Sequence, residues 1–162
     1  MTLRLTFGID PGLSGAIAVL TDGKLADVFD MPTVGRGKAG RQTVNAPALA
    51  ARLREHLASH PGADVQAVVE DVAARPGQGV TSMFRFGHSC GAVDGVLGAL
   101  RIPMTKAAAQ RWKRHHALLG SEKDASRGKA IDLYPEAPLS RKRDHGRADA
   151  ILLARWHHDT TT

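Results

Sequence analysis

The sequence lacks the features that would tie it to a membrane, a disulfide framework or a thiolate metal site. Cys90 is the single cysteine among 162 residues, so it forms no internal disulfide and no cysteine-rich zinc site. No apolar run is long enough to span a bilayer, and the N-terminus lacks the apolar core of a secretory signal. A P-loop motif is also missing. We therefore expect a cytoplasmic protein without a small-molecule cofactor.

Positive charge is what the sequence has in excess. Lysine and arginine number 22 against 16 aspartates and glutamates, for a formal net charge of +6. This imbalance favours a polyanionic partner, and nucleic acid is favoured over a membrane surface. The length fits one domain with a real core, so we expect a single domain over residues 1–159 and a frayed tail at 160–162.

The first third of the chain predicts an antiparallel meander. Apolar residues alternate over 3–10, and the strand ends at Asp10 before a Pro-Gly break. A second apolar run at 15–20 and the Asp22-Gly23 turn predict a hairpin with residues 24–31. Residues 32–46 are Gly-rich and basic, which indicates a loop that either connects elements at the surface or contacts DNA.

A second carboxylate follows by a crossover connection. Helical spacing over 46–60 leads to a buried strand at 65–70 that ends on Glu70. A strand, helix, strand unit predicts that the two strands run parallel. If they are neighbours, Asp10 and Glu70 meet at the carboxyl edge of the sheet, where open α/β sheets present their sites.

The third acid lies on the last predicted helix, at about 146–158. Asp149 shares a helix face with His145, Leu152, Leu153 and Trp156, so its carboxylate points inward. An unpaired inward carboxylate is costly, and a divalent ion meets that need. Three carboxylates from separate elements suit Mg²⁺ or Mn²⁺, and two such ions support phosphodiester hydrolysis. His145 is either a ligand, a proton shuttle or a surface histidine.

Two further segments each allow two interpretations. A long helix at about 80–100 carries a stripe that includes Phe84, Gly87 and Gly91, and this stripe either packs on the sheet or forms a dimer contact. The basic segment 107–130 indicates either a solvated helix or phosphate capture. Within it, Ser121 is expected to cap a helix that runs to Tyr134, and 102–105 is expected to be a short edge strand. Expected DNA contacts are Arg36, Lys38, Arg41, Arg75, Arg111, Lys113, Arg114 and Lys123.

A set of short motifs resembles those of RuvC-type Holliday junction resolvases, in the same order along the chain. The motifs are Gly8-Ile9-Asp10-Pro11-Gly12, Val69-Glu70, Gly87-His88-Ser89-Cys90-Gly91, Lys113, Gly120-Ser121-Glu122-Lys123 and Arg147-Ala148-Asp149-Ala150. The resemblance covers nearly the whole chain, and the last motif with the Trp112-Lys113 pair is closer to phage-encoded members.

This resemblance implies an RNase H-like α/β fold, with a mixed five-stranded sheet of a three-stranded meander plus parallel strands, flanked by helices. It also implies a homodimer, dependence on Mg²⁺ (with Mn²⁺ as a substitute) and paired nicking of four-way DNA. Asp10, Glu70 and Asp149 resemble the metal-binding acids, and Lys113 and Lys123 resemble the basic residues at the scissile region. The helix around Gly87 and Gly91 is similar to the dimer helix, which favours the dimer contact.

The chain departs from the resolvase pattern at two places. Bacterial members commonly carry an acid or a histidine where this chain has Gly146, so His145 or Asp144 is the candidate for a fourth ligand, through a shifted helix start. Residues 71–79 hold no aromatic wedge.

Three other functions stay open: a broader fork and flap nuclease, an actin-like ATPase fragment, and a DNA-binding module without activity.

Overall fold

The computed structural model describes residues 1–37 and 41–161, with seven strands and five α-helices among them. The strands are β1 (Arg4–Ile9), β2 (Ala16–Thr21), β3 (Lys24–Asp30), β4 (Thr33–Arg36), β5 (Arg41–Val44), β6 (Asp64–Asp71) and β7 (Met104–Ala108). The helices are α1 (Ala46–Ser59), α2 (Val80–Ala99), α3 (Ala109–His115), α4 (Ala125–Leu133) and α5 (His145–Thr161).

The main sheet has five strands in the order β3-β2-β1-β6-β7. The pairs β1–β2 and β2–β3 are antiparallel, and the pairs β1–β6 and β6–β7 are parallel. This arrangement confirms the predicted mixed sheet, the meander and the parallel return of the strand that carries Glu70. The predicted edge strand is also present, two residues later than expected, as β7.

Two layers of helices cover the sheet. Side chains such as Phe7 and Ile9 point to one face, where they pack with Leu49 of α1 and Val93 of α2. The other face packs against α3, α4 and α5, in a cluster that includes the fully buried Trp112. Strand alternation therefore places α5 on the opposite side of β1 from α1 and α2.

The Gly-rich segment is not a plain loop. Strands β4 and β5 pair antiparallel, with Thr33 opposite Val44 and Gly35 opposite Gln42. The prediction missed this hairpin because its strands have only four residues each and little apolar alternation. Lys38 lies outside the described residues.

The helix ends differ from two expectations. Helix α4 begins at Ala125 and not at Ser121, and its N-cap Asp124 instead accepts hydrogen bonds of 2.8 and 2.9 Å from Arg127. Thr160 and Thr161, expected in a frayed tail, form the end of α5, and their hydroxyls donate to carbonyls one turn back. None of the described helices combines the length and the apolar character that a membrane span requires.

Candidate active site

Asp10 stands at the turn between β1 and β2. Its backbone N–H donates to the Ala16 carbonyl (3.0 Å), and the Gly15 N–H donates to the Gly12 carbonyl (2.9 Å), which closes the turn. The Gly12 N–H also donates to Asp10 Oδ1 at 3.3 Å. The turn therefore fixes the direction of the carboxylate at the carboxyl end of β1.

Glu70 reaches the same edge from the neighbouring strand. In the parallel register Ile9 lies opposite Val69, so Asp10 and Glu70 are the next residues on adjacent strands. Neighbouring strands are about 4.8 Å apart, so the two carboxylates share one end of the sheet. The predicted meeting of Asp10 and Glu70 at this edge is confirmed.

Asp149 is brought to this edge by the close packing of α5 on β1. A Cβ added to Gly8 would lie 2.6 Å from the Ala154 Cβ, closer than atoms of this kind approach. Only glycine at this position lets the helix backbone approach the strand so closely. The Ser126 hydroxyl of α4 donates a hydrogen bond to the Asp149 carboxylate, and this bond lowers the pKa of Asp149, against the larger upward effect of burial.

The three carboxylates are mostly desolvated and repel one another. Burial is the main reason that the pKa of Glu70 rises to about 7, and the charges of Asp10 and Asp149 raise it further. Burial likewise raises the pKa of Asp149 to about 6, with a smaller contribution from the charge of Asp10. The pKa of Asp10 also rises through burial, partly offset by its bond from Gly12 and by His145. In all three groups, desolvation outweighs the nearby positive charges, so the net shift in pKa is upward.

The donor set suits hard divalent cations. No hydrogen bond or ion pair joins a lysine or arginine of the described chain to the three carboxylates, whereas the partly or fully buried Asp27, Asp94 and Asp144 are each paired in this way. Oxygen ligands with uncompensated negative charge are what Mg²⁺ and Mn²⁺ require. Across residues 1–37 and 41–161, no three acidic, histidine or cysteine side chains stand close enough to hold one ion in the arrangement seen. The three acids therefore influence one another electrostatically. For all three to bind one ion, their carboxylates would have to move closer together.

The structure distinguishes the two proposed fourth ligands. Asp144 is 2% exposed and accepts hydrogen bonds from the Arg141 guanidinium at 2.7 and 3.0 Å, so it is already neutralised. The Arg141 bond is also the main reason that its pKa is lowered. His145 instead begins α5, lines a cavity of about 390 Å³ with Asp10, and its charge lowers the pKa values of Asp10 and Asp149. The pairing of Asp144 with Arg141 therefore favours His145 as the fourth ligand.

Gly146 explains why the ligand position differs from the resolvase pattern. A Cβ at Gly146 would collide with the Ser14 carbonyl and lie 3.2 Å from the Gly15 Cα. The helix start is pressed against the β1–β2 turn, so this position has no room for any side chain. His145, one residue earlier, lines one cavity with Asp10 and another with Asp149.

Two lysines flank the site on the α3 and α4 side. Lys113, Lys123, His145 and Asp149 line a cavity of about 190 Å³, together with Ser126. The charge of Lys113 also lowers the pKa values of Glu70 and Asp149. Both lysines that the sequence singled out thus lie beside the acids without pairing with them.

The other predicted DNA contacts are dispersed. Arg75 lies near Glu70, since its charge lowers the pKa of that group. Arg111 stacks over the Trp156 ring at 5.6 Å, and Arg114 is exposed on α3. Arg36 and Arg41 end and begin the two strands of the hairpin. The structure therefore brings Lys113, Lys123 and Arg75 to the acids and leaves Arg41, Arg111 and Arg114 exposed elsewhere on the surface.

The predicted dimer stripe lies exposed along α2. Phe84 is 76% exposed, and a Cβ added at Gly87 or Gly91 meets no atom of the described chain within 4 Å. The stripe is therefore not used for packing within this subunit.

Sequence reasoning missed Ser126 and Gly8 as supports of the site. Ser126 lies on α4 and touches Asp149 only through the packing of α4 on α5, for which the sequence has no local signal. Gly8 had a signal, since a glycine inside an apolar strand indicates close approach of another backbone.

The fold is that of RuvC, within the RNase H-like class. RuvC from T. thermophilus in complex with a Holliday junction substrate superposes with a TM-score of 0.65 at 18% identity, over 95% of this chain and 92% of that one. A second Thermus thermophilus RuvC structure gives a TM-score of 0.56 at 18% identity, over 95% and 93% of the two chains. The expected RNase H-like fold is confirmed.

The particular curated protein with similar sequence is the chloroplastic Holliday junction resolvase MOC1 of Chlamydomonas reinhardtii. The two share 36% identity over 121 residues, which are 73% of this chain. The chain spans only about 14% of the length of that relative. No protein-family model matches the chain. The resemblance to RuvC-type resolvases is therefore confirmed in both sequence and fold.

Proposed function

We propose that the chain is a metal-dependent endodeoxyribonuclease that resolves four-way DNA junctions. The observation that supports this function best is the desolvated set of Asp10, Glu70 and Asp149, to which no lysine or arginine among the described residues is paired. The similarity to a Holliday junction resolvase in sequence, and to RuvC in fold, agrees with it. The excess of positive charge suits a DNA partner.

Asp10, Glu70 and Asp149 would hold Mg²⁺, or Mn²⁺ in its place, with His145 as a fourth ligand or as a proton carrier. Bound there, the ions would supply the activation of water and the stabilisation of the leaving oxygen. Lys113 and Lys123 border the acids and would neutralise charge that develops on the phosphate. Desolvation at the sheet edge makes each of these charges act more strongly than it would in water.

Paired cuts at a junction require two sites, so the proposal includes a homodimer. The exposed stripe of Phe84, Gly87 and Gly91 along α2 allows a second copy of the helix to approach closely. Gly91→Trp should fold but shift the protein to monomers and convert paired cuts into single nicks. Gly128→Trp on α4 is a matched control, because that glycine also faces open space. A dimer that survives Gly91→Trp would remove this surface from the proposal.

The function is tested with the purified protein on a labelled immobile four-way junction and a linear duplex of matched sequence. Symmetric nicks on the junction alone, present with Mg²⁺ and abolished by EDTA, are expected. Equal cutting of forks and flaps would favour a general branched-DNA nuclease. ATP turnover without DNA cleavage would favour the actin-like ATPase, and binding without cleavage would favour an inactive DNA-binding module.

A further inference from the structure

A groove runs between the β4–β5 hairpin and α2, beside the acid site. Strand β5 packs against α2, and the space between them is a cavity of about 390 Å³. Its lining includes Arg41 and Gln42 of the hairpin and Thr81, Arg85 and His88 of α2. Residues 81, 85 and 88 follow helical spacing, so they form one side of α2, next to the side that carries Gly87 and Gly91.

The groove is continuous with the cavity at Asp10. Arg85 and Ser89 line both, and the second cavity is completed by Asp10, Ser14 and His145. The buried Ser89 hydroxyl donates to the Arg85 carbonyl at 3.2 Å, which fixes the helix backbone at the point where the two cavities join. The groove therefore adjoins the acid site on the side of Arg85 and Ser89.

The charge of the groove matches a polyanion. Several arginines form ion pairs with acids of the same subunit, as Arg52, Arg127 and Arg147 do. Neither guanidinium in the groove, of Arg41 or of Arg85, makes a hydrogen bond or ion pair with a described residue, and no acid is among the described residues that line it. Two unpaired arginines on facing walls are suited to successive phosphates of one strand.

We propose that this groove binds the sugar–phosphate backbone of the DNA strand next to the bond being cleaved. Arg85 contacts the phosphate adjacent to the acid site, and Arg41 contacts one further along. The inference rests on the proposed function, and it adds a path for the substrate on the hairpin side of the acids, opposite Lys113 and Lys123.

The first test measures binding of a fluorescent four-way junction in EDTA, over a series of salt concentrations, for wild type, Arg41→Ala and Arg85→Ala. Each lost phosphate contact should make the plot of log affinity against log salt shallower by about 0.7–0.9. Arg54→Ala, an exposed arginine on α1 that lines neither cavity, is the matched control and should leave the slope unchanged. Arg85→Lys keeps the charge and should keep the slope. Thermal unfolding checks that each variant is folded.

A second test locates the contact. Junctions carry a single neutral methylphosphonate at each position flanking the cleaved bond in turn. The effect of Arg85→Ala on affinity should disappear at one of the phosphates next to that bond. Wild-type slopes for Arg41→Ala and Arg85→Ala in a protein that still cleaves junctions would overturn the groove and leave the proposed function standing. Failure of the wild type to bind junctions would overturn both.

Discussion

Glu70→Gln should stabilise the metal-free protein at alkaline pH while it abolishes cleavage. The pKa of Glu70 rises from 4.5 to about 7, mainly through burial and then through the charges of Asp10 and Asp149. One pKa unit corresponds to about 1.4 kcal/mol, so ionisation of Glu70 within the fold costs about 3 kcal/mol. Because the pKa of Glu70 is higher in the folded state, protonated Glu70 contributes this free energy to the stability of the fold, and the contribution is complete below about pH 4.5. It is lost as the pH rises through about 7.

The measurement is urea unfolding in EDTA at pH 5 and pH 8.5. Glutamine keeps the shape of the side chain without the charge, so the variant should be about 3 kcal/mol more stable than wild type at pH 8.5. At pH 5 the difference should fall to about 1 kcal/mol or less. Glu136→Gln, at an exposed position, is the control and should change little at either pH.

Mg²⁺ provides the complementary measurement. Added at pH 8.5, it should raise the stability of wild type, because it binds only the folded site, and raise that of Glu70→Gln much less. The reasoning is refuted if Glu70→Gln is destabilised equally at both pH values. That result would mean that Glu70 is held by compensating contacts and carries no electrostatic strain.

Four other substitutions test separate parts of the site. Asp10→Asn should abolish cleavage with junction binding intact or tighter, since it removes a ligand and a negative charge; retained cleavage would exclude Asp10 from the mechanism. Lys123→Ala should slow cleavage more than it weakens binding, and a pure loss of affinity would assign Lys123 to phosphate positioning. His145→Ala should raise the Mg²⁺ concentration required for cleavage. Asp144→Ala should instead lower the free energy of unfolding by about 2 kcal/mol through loss of the Arg141 pairing, and an effect on Mg²⁺ dependence alone would contradict the structure.

The sequence predicted the fold and the three acids because both depend on local patterns. Period-two alternation identified β1, and the apolar run before Glu70 identified β6. The short crossover through α1 then required the two strands to be parallel, which placed both carboxylates at one edge. Asp149 was predicted from its position on the apolar face of a helix, and that face does pack on β1.

The remaining features of the site depend on contacts between distant residues. Two contacts decide that His145, and not Asp144, faces the acids. Arg141 forms an ion pair with Asp144, three residues away, and Gly146 packs closely against Ser14. Similarly, the hairpin wall of the groove forms from strands too short to show a period. Patterns along the sequence do not contain either contact.

The central claim is that Asp10, Glu70 and Asp149 bind divalent ions at the end of β1 and β6. It is tested most directly by a crystal structure with Mn²⁺, located by its anomalous scattering. The account predicts anomalous peaks bound by oxygen atoms of these three carboxylates, and their loss in Asp10→Asn. Mn²⁺ absent from this site at millimolar concentration, or bound only elsewhere on the protein, would contradict it.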